Sequence, residues 1–377
     1  MRLTCLQENL SRALNTVGRA VATRTTLPVT QNVLLATDQG RLKLSATNLE
    51  IAITTWVGGK IESDGAITVP ARLLTDFVSS LPEGQVSIVM AAKPLSIQLT
   101  CGRFEGRLLG TAAEEFPPIP SVEQGVGITI PPRTLRAAIN QVVFAAATED
   151  SRPVLTGVKM ELENDTLTLA AADGFRLAVH TAKLASPVAE PVSFIIPGRT
   201  LTELNRLLAD QEETLQFTIT PQRSQAMFRL KNTELVSQLV QGTFPNYKQL
   251  IPQGYGTRTV VKLQELSRAV RAAAIFARDG SGIIRIQITP GSNGTAGKLV
   301  VSARAEELGD NTGEIDARVE GEAAKIAFSS KYLNDVLGAI NREEVALETT
   351  TPSSPGVIRP VGSDDYVHVV MPMFVQW

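Results

Sequence analysis

A chain of 377 residues with 43% hydrophobic and 20% charged residues and a net charge of −2 is long enough for two or three domains, each burying its own core. It contains no run of about 18 apolar residues that could cross a membrane as a helix. The opening Met1-Arg2-Leu3-Thr4-Cys5 passes straight into polar Gln7-Glu8-Asn9 and is no secretory signal. Cys5 and Cys101 make no disulfide framework and are expected as buried thiols in a reducing, cytoplasmic setting.

One plan recurs three times along the chain at about 125–130 residues. In the first copy, Gln7 to Ala22 places Leu10, Ala13, Leu14, Val17 and Val21 on one helical face. Alternation then predicts strands over Arg41–Ser45 and Ile51–Thr54, with Asp38-Gln39-Gly40 as the preceding turn. A second helix follows, with Pro70 in its first turn and a stop at Leu81-Pro82-Glu83-Gly84. Strands at Val86–Val89 and Leu95–Leu99 complete the copy.

The helix openings recur as Leu10-Ser11-Arg12-Ala13, Leu135-Arg136-Ala137-Ala138 and Leu266-Ser267-Arg268-Ala269. The second helix opens at Pro70-Ala71-Arg72, Pro197-Gly198-Arg199 and Ser329-Ser330-Lys331. The copies close on Phe116-Pro117, Phe244-Pro245 and Met371-Pro372. Further strands are expected at Thr166–Ala170, Leu215–Ile219, Ile284–Ile288 and Lys298–Val301. Linkers fall at Pro118–Gly127 and Pro252–Thr257, and Gly291–Gly297 reads as a hairpin tip. Many strands with two helices per copy give an α+β class with three similar domains, bounded at 1–124, 125–253 and 254–377.

Charge is unevenly distributed. The six helices and their flanks carry Arg12, Arg19, Arg24, Arg72, Arg133, Arg136, Arg199, Arg206, Lys262, Arg268, Arg271, Arg278, Lys331 and Arg342. Against these stand only Glu8, Asp76, Glu203, Asp210, Glu265 and Asp335. Singly, each arginine reads as a solvated helix residue. The same bias in all three copies points to a shared electropositive surface. Its partner would be a phosphate backbone, bound without regard to sequence. The helices lack the Asn/Gln/Arg clusters that read base edges and the exposed aromatics of a single-strand platform.

No catalytic constellation is evident. His180 and His368 lie in strand-like alternation, away from other metal-ligand types. Gly291–Lys298 is no phosphate loop, because the glycine spacing is wrong and Leu299 stands where Ser or Thr is required. Asp364-Asp365 and Glu114-Glu115 read as loop pairs. No cofactor or metal is expected. Two other readings stay open at this point: a β-rich interaction scaffold without nucleic acid, and a hydrolase whose carboxylates converge from distant segments.

Several pieces together strongly resemble a known family. They are Thr26-Leu27-Pro28, Ser151-Arg152-Pro153-Val154-Leu155-Thr156-Gly157, Ala172-Asp173-Gly174-Phe175-Arg176-Leu177-Ala178-Val179, Phe244-Pro245-Asn246-Tyr247 and Val369-Val370-Met371-Pro372-Met373. They resemble the bacterial beta sliding clamp, the beta subunit of DNA polymerase III, in order and over essentially the whole chain. The resemblance implies a non-catalytic processivity factor: a head-to-tail homodimer closing into a ring, with helices lining a hole around double-stranded DNA and antiparallel sheets outside. It also implies a clamp loader, a replicative polymerase, and repair proteins carrying short clamp-binding motifs as partners, and no membrane.

By position, the resemblance implies a peptide pocket of Leu155, Ala172, Gly174, Arg176, Leu177, Pro245, Leu250, Ser353, Pro355, Val369, Val370, Met371, Pro372 and Met373. A groove rich in Met and Pro adapts to several ligands, and Arg176 is expected to fix a peptide's polar ends. The implied dimer interface joins Phe104 and Leu108 to Ile275 and Phe276. For DNA the resemblance points to Arg24 and to the loop Glu149-Asp150-Ser151-Arg152, beside the helix arginines Arg72, Arg136, Arg199, Arg206, Arg268 and Arg271. Phe175 and the ending Phe374-Val375-Gln376-Trp377 depart from the family pattern. Trp377 either caps the pocket or extends free.

Overall fold

A computed structural model describes residues 1–120, 126–149, 151–278, 281–292 and 296–377. Part of the first linker, Asp150, and the centre of the Gly291–Gly297 tip lie outside the described residues, as do the side chains of Asp210 and Arg278.

Six α-helices occur among the described residues: α1 (Gln7–Val17), α2 (Ala71–Ser80), α3 (Pro132–Val142), α4 (Gly198–Leu207), α5 (Leu263–Arg278) and α6 (Ser330–Ala339). α1 buries Gln7, Leu10, Ala13, Leu14 and Val17, the expected face. It stops earlier than expected, at Gly18, and a 3-10 turn brings Ala20 into the core in place of Val21. Pro70 ends the strand Ala66–Pro70 and stands just ahead of α2, a place that needs no amide hydrogen. The expected hairpin after Asp38 forms with Gln39 and Gly40 both at positive φ, the turn whose twist suits paired strands.

Contacts divide the chain into two units. The first comprises Met1–Arg133 and Thr202–Leu239, the second Thr134–Leu201 and Val240–Trp377. The boundary cuts through the second copy, because that copy's strands join different neighbours. In the first unit one sheet has five strands and another has eight, and a twelve-stranded sheet runs through the second unit.

Each unit contains a junction between copies made by antiparallel strand pairing. At the first junction Thr233–Gln238 of the second copy pairs with Ile51–Val57 of the first, with Val236 opposite Ala52 and Leu235 opposite Ile53. At the second junction Tyr366–Val370 of the third copy pairs with Arg176–Lys183 of the second, with Val369 opposite Leu177 and His368 opposite Ala178. The turns entering these strands share the following bonds, to which the first adds those of the Thr47 hydroxyl. Asn48 Oδ1 accepts from the Glu50 and Ile51 amides at 3.0 and 2.9 Å. Asp173 Oδ1 accepts from the Phe175 and Arg176 amides at 2.9 and 3.0 Å. The next residue has positive φ in both turns, Leu49 at 76° and Gly174 at 94°. The Glu50 carbonyl accepts from the Gln238 amide, and the Phe175 carbonyl from the Met371 amide, each at 2.8 Å.

The repeat is equally exact at the strand ahead of each copy's second helix. Thr68, Ile195 and Ala327 each stand two residues before the matched positions Pro70, Pro197 and Ser329. Their carbonyls accept from the amides of Thr111, Val240 and Met373 at 2.9, 2.9 and 2.7 Å. Three copies therefore share a chain path as well as motifs.

Candidate functional site

At the second junction, strand alternation sorts the side chains onto two faces. On one face an apolar cluster gathers Leu155, Ala170, Ala172, Leu177, Val179, Ile195, Phe244, Tyr247, Val357, Val367 and Val369. Burying such side chains contributes roughly 1.5–3 kcal/mol each for the larger ones. Leu155, Ala172, Leu177 and Val369 are thus brought together as expected. Ile251, next in sequence to the exposed Leu250, packs against the cluster. Gly174, Pro245, Ser353, Met371 and Met373 are exposed around this region of the chain, while Pro355 and Pro372 are half-buried.

Two expected wall residues belong elsewhere. Val370 is wholly buried and, being adjacent to Val369, points to the opposite face. Arg176 lies on that opposite face too, with its side chain only 4% exposed. Its donors are already engaged: Nε donates to Asp173 Oδ2 at 2.9 Å, Nη1 to Asp335 Oδ2 at 2.6 Å and Nη2 to the Phe144 carbonyl at 2.6 Å. Its guanidinium carbon sits 4.4 Å from the Tyr332 ring centre and 5.4 Å from that of Phe144. Arg176 is therefore an internal tie and is not free to bind a peptide's ends. Asp335, Tyr332 and Phe144 went unrecognised because they lie far from Arg176 in sequence.

The same face holds His180, Tyr366 and His368. His180 Nδ1 pairs with Gln141 Oε1 at 2.6 Å, and the Tyr366 hydroxyl with His368 Nδ1 at 3.3 Å. Phe144 stacks on His368 at 5.6 Å. Burial, reinforced by the Arg176 charge, pushes the His368 pKa down to about 3. The His180 pKa is lowered by burial against an opposing pull from Asp365. On the groove side, Tyr247 donates to Glu161. Burial raises the Glu161 pKa, but the Tyr247 and Lys159 contacts outweigh it and leave it below the ordinary value.

The basic residues are mostly available. Arg24, Arg72, Arg199, Arg206, Arg268 and Arg271 are exposed, whereas Arg136 is half-buried with its Nε unpartnered. Arg206 donates to Glu203 at 2.6 Å, and Arg72 stands 3.8 Å from Asp76 with its side chain almost fully in solvent. Such exposed pairs are weak and leave the cations able to exchange partners. In the first unit a cleft of about 510 Å³ is lined by Arg12, Arg19, Arg206 and Lys231. In the second unit, Arg268 and Arg271 of α5 and Lys331 of α6 are exposed. Arg152, expected on DNA, is exposed and lies against Gly174: a Cβ there would stand 2.6 Å from its Nη1. The first unit's strand Phe104–Leu109 edges its five-stranded sheet. Phe104 and Leu109 are exposed there, but Leu108 is buried in the copy's own core, so Leu109 takes the outward place expected of Leu108. Ile275 is exposed and Phe276 half-buried. Trp377 rests against Lys325, 5.6 Å from its Nζ, beside the edge strand Ala324–Ser329.

No group of His, Cys, Asp and Glu suited to a metal occurs among the described residues. Three α+β copies joined by strand pairing, with exposed helix cations and a large apolar cluster at one junction, define a clamp-type DNA-associated protein. Sequence models of the DNA polymerase III beta subunit match in succession: the N-terminal domain over 1–120, the central domain over 129–246 and the C-terminal domain over 248–374. The chain is 32% identical to the beta sliding clamp of Synechococcus elongatus and 31% identical to that of Bacillus subtilis, over 99% of each chain. The crystal structure of the Bacillus subtilis DNA polymerase sliding clamp superposes with a TM-score of 0.94 at 30% identity, covering all of both chains. A sliding clamp from Pseudomonas aeruginosa bound to griselimycin superposes at 0.90 with 31% identity and the same coverage.

The chain therefore belongs to the DNA polymerase III beta subunit family. It is a bacterial sliding clamp by family, a non-catalytic processivity factor of DNA replication. Nothing in the comparisons supports the hydrolase or the DNA-free scaffold.

Proposed function

We propose that two copies of the chain close head to tail into a ring that encircles double-stranded DNA in the cytoplasm, loaded by a clamp loader. The observation that carries this reading is the exposure of helix-borne cations in both units, with Arg72, Arg199, Arg206, Arg268 and Arg271, and Arg24 from the loop after α1, as the phosphate contacts and half-buried Arg136 as a lesser one. Phosphate contacts attract without stopping movement, because they carry no base information. The exposed apolar edge strand Phe104–Leu109 supports the head-to-tail contact with Ile275 and Phe276, since such an edge is a ready template for pairing.

The apolar groove at the second junction takes short motifs of the polymerase and of repair proteins, with Met371, Pro372, Met373 and Leu250 as its adaptable rim. Griselimycin, which the Pseudomonas aeruginosa relative binds, is the probe we propose for that groove. The test is retention on nicked circular against linear duplex after loading. A ring is retained on the circle and runs off the ends, and the Arg24→Glu/Arg268→Glu double variant loads at least tenfold less. Equal retention on both forms would exclude encirclement. Griselimycin affinity that survives Met371→Ala unchanged would remove the groove assignment.

A further inference from the structure

The first junction shows that the turn entering a junction strand does not need an arginine. Asn48, Leu49, Glu50 and Ile51 make the same hydrogen bonds as Asp173, Gly174, Phe175 and Arg176, with an aliphatic side chain where Arg176 stands. The first turn is braced instead by the Thr47 hydroxyl, which donates to the Ile51 carbonyl at 2.9 Å and accepts from the Leu49 amide at 3.0 Å, where the second has Ala172. At the first junction Arg19 and Glu203, at the places of Phe144 and Asp335, link the corresponding segments directly at 3.5 Å; at the second the link runs through the turn, because the guanidinium fastens it to α6 through Asp335 and to the end of the α3 segment through the Phe144 carbonyl.

That turn in turn holds the tail. The Phe175 carbonyl accepts from the Met371 amide at 2.8 Å, and the Ala327 carbonyl accepts from the Met373 amide at 2.7 Å. Met371-Pro372-Met373 is thus slung between the second copy's turn and the third copy's edge strand. α6 follows that edge strand directly, at Ser330. Asp335 is the one α6 carboxylate bonded to Arg176, and its side chain is 31% exposed.

We propose that Asp335 is a positioning residue for the peptide groove. Through Arg176 and the Asp173–Phe175 turn, it fixes the carbonyl that sets the height and direction of Met371. The inference rests on the groove reading above, and it explains why a costly buried cation is present at this junction and absent from the other. Charge-assisted hydrogen bonds in a water-poor site are the strong ones, and a rim held by them needs less ordering when a ligand arrives. Tyr332 completes the device by stacking on the guanidinium plane, so that Arg176 cannot swing away from Asp335.

The test uses the full chain and two measurements. Amide hydrogen exchange at Met371 and Phe175 should quicken roughly tenfold in Asp335→Asn, while the ladder of Arg176–Lys183 with Thr166–Ala172 keeps its protection. Griselimycin affinity should fall by roughly three- to tenfold, and Asp335→Glu should recover part of both. Tyr332→Leu should reproduce the exchange change at Met371 through a different atom set. Unchanged Met371 exchange in both Asp335→Asn and Tyr332→Leu would overturn the proposal, and so would loss of protection spread evenly over the sheet. Failure of griselimycin to respond to Met371→Ala would sink the groove reading alone, because the exchange measurement needs no ligand.

Discussion

The first junction joins its strands with Ile51, Ile53 and Leu235 on one face and Ala52, Met227 and Val236 on the other, the latter covered by Ile119. Thr55 and Thr233 pair their hydroxyls at 3.0 Å at one end. At the second junction the places of Ile51, Leu235, Thr55 and Thr233 are taken by Arg176, His368, His180 and Tyr366. The apolar face there grows from a small patch into the large cluster around Leu155, Phe244 and Tyr247. Identical ladders therefore suffice to join copies. The buried polar groups of the second junction add little to joining and cost desolvation, so their effect must be orientation. The contrast can be probed by moving first-junction residues, one at a time, into the second.

The largest expected effect is on the acid side of stability. His368 is wholly buried, its Nε2 has no partner, and its folded pKa is depressed to about 3 against an ordinary 6.5. A group that takes up its proton more readily when unfolded contributes full stability above about pH 6.5, and that contribution is lost as pH falls from there toward 3. The loss is on the order of 4 kcal/mol over that window, and the lowered pKa of His180 works in the same direction. Replacing His368 by leucine, its first-junction counterpart, should flatten most of the dependence. The check is equilibrium unfolding at pH 4.5 and pH 8, where wild type should differ and His368→Leu should differ much less.

Next in size is Arg176→Ile. It leaves Asp173 and Asp335 facing each other with no cation, at 14% and 31% side-chain exposure, and should cost about 3 kcal/mol. Asp173→Asn, Arg176→Ile and Asp335→Leu together remove the stranded charges, although the first junction keeps a carboxylate at the place of Asp335, Glu203, paired with Arg19 at 3.5 Å; the triple variant should return most of that loss. A triple variant no more stable than the single one would show that the second junction depends on its cation in a way the first does not. Chemical denaturation of the three proteins decides it.

Much of this architecture was legible in sequence. Periods of 2 and 3.6 mark Thr166–Ala170, which the structure extends to Ala172, and most of the buried face of α1, because those patterns report which side meets the core. Alternation also contained two corrections. Val369 and Val370 cannot share a face, yet a family motif carries both over together, and Leu108 faces inward while its neighbour Leu109, not among the expected residues, faces out. Arg176 was read as a peptide ligand because its partners were invisible: Asp335 lies 159 positions away and Phe144 lies 32 positions away. A buried arginine's role depends on what the fold brings to it. The helix cations could be counted from sequence, but the half-burial of Arg136 and the docking of Arg152 on Gly174 depend on neighbours from other elements.

The smallest expected change bears on Arg152. Gly174 and Leu49 hold the same place with φ of 94° and 76°, so a leucine is compatible with the turn at a cost of about 1 kcal/mol in strain. A Cβ at Gly174 would meet Arg152 Nη1 at 2.6 Å and the rest of its guanidinium at 3.2–3.3 Å. These atoms are the far end of a flexible chain and can swing away. Gly174→Leu should therefore lower stability only slightly while lifting Arg152 off the turn, and Leu49→Gly should leave the groove unaffected. If Arg152 serves the groove, griselimycin affinity falls in Gly174→Leu and duplex retention does not. If it serves the DNA, griselimycin affinity holds and duplex retention rises, because a guanidinium freed from Gly174 is a better phosphate partner. Arg152→Ala measured beside Gly174→Leu separates loss of the guanidinium from the bulk added at Gly174, and the two readouts together assign the residue.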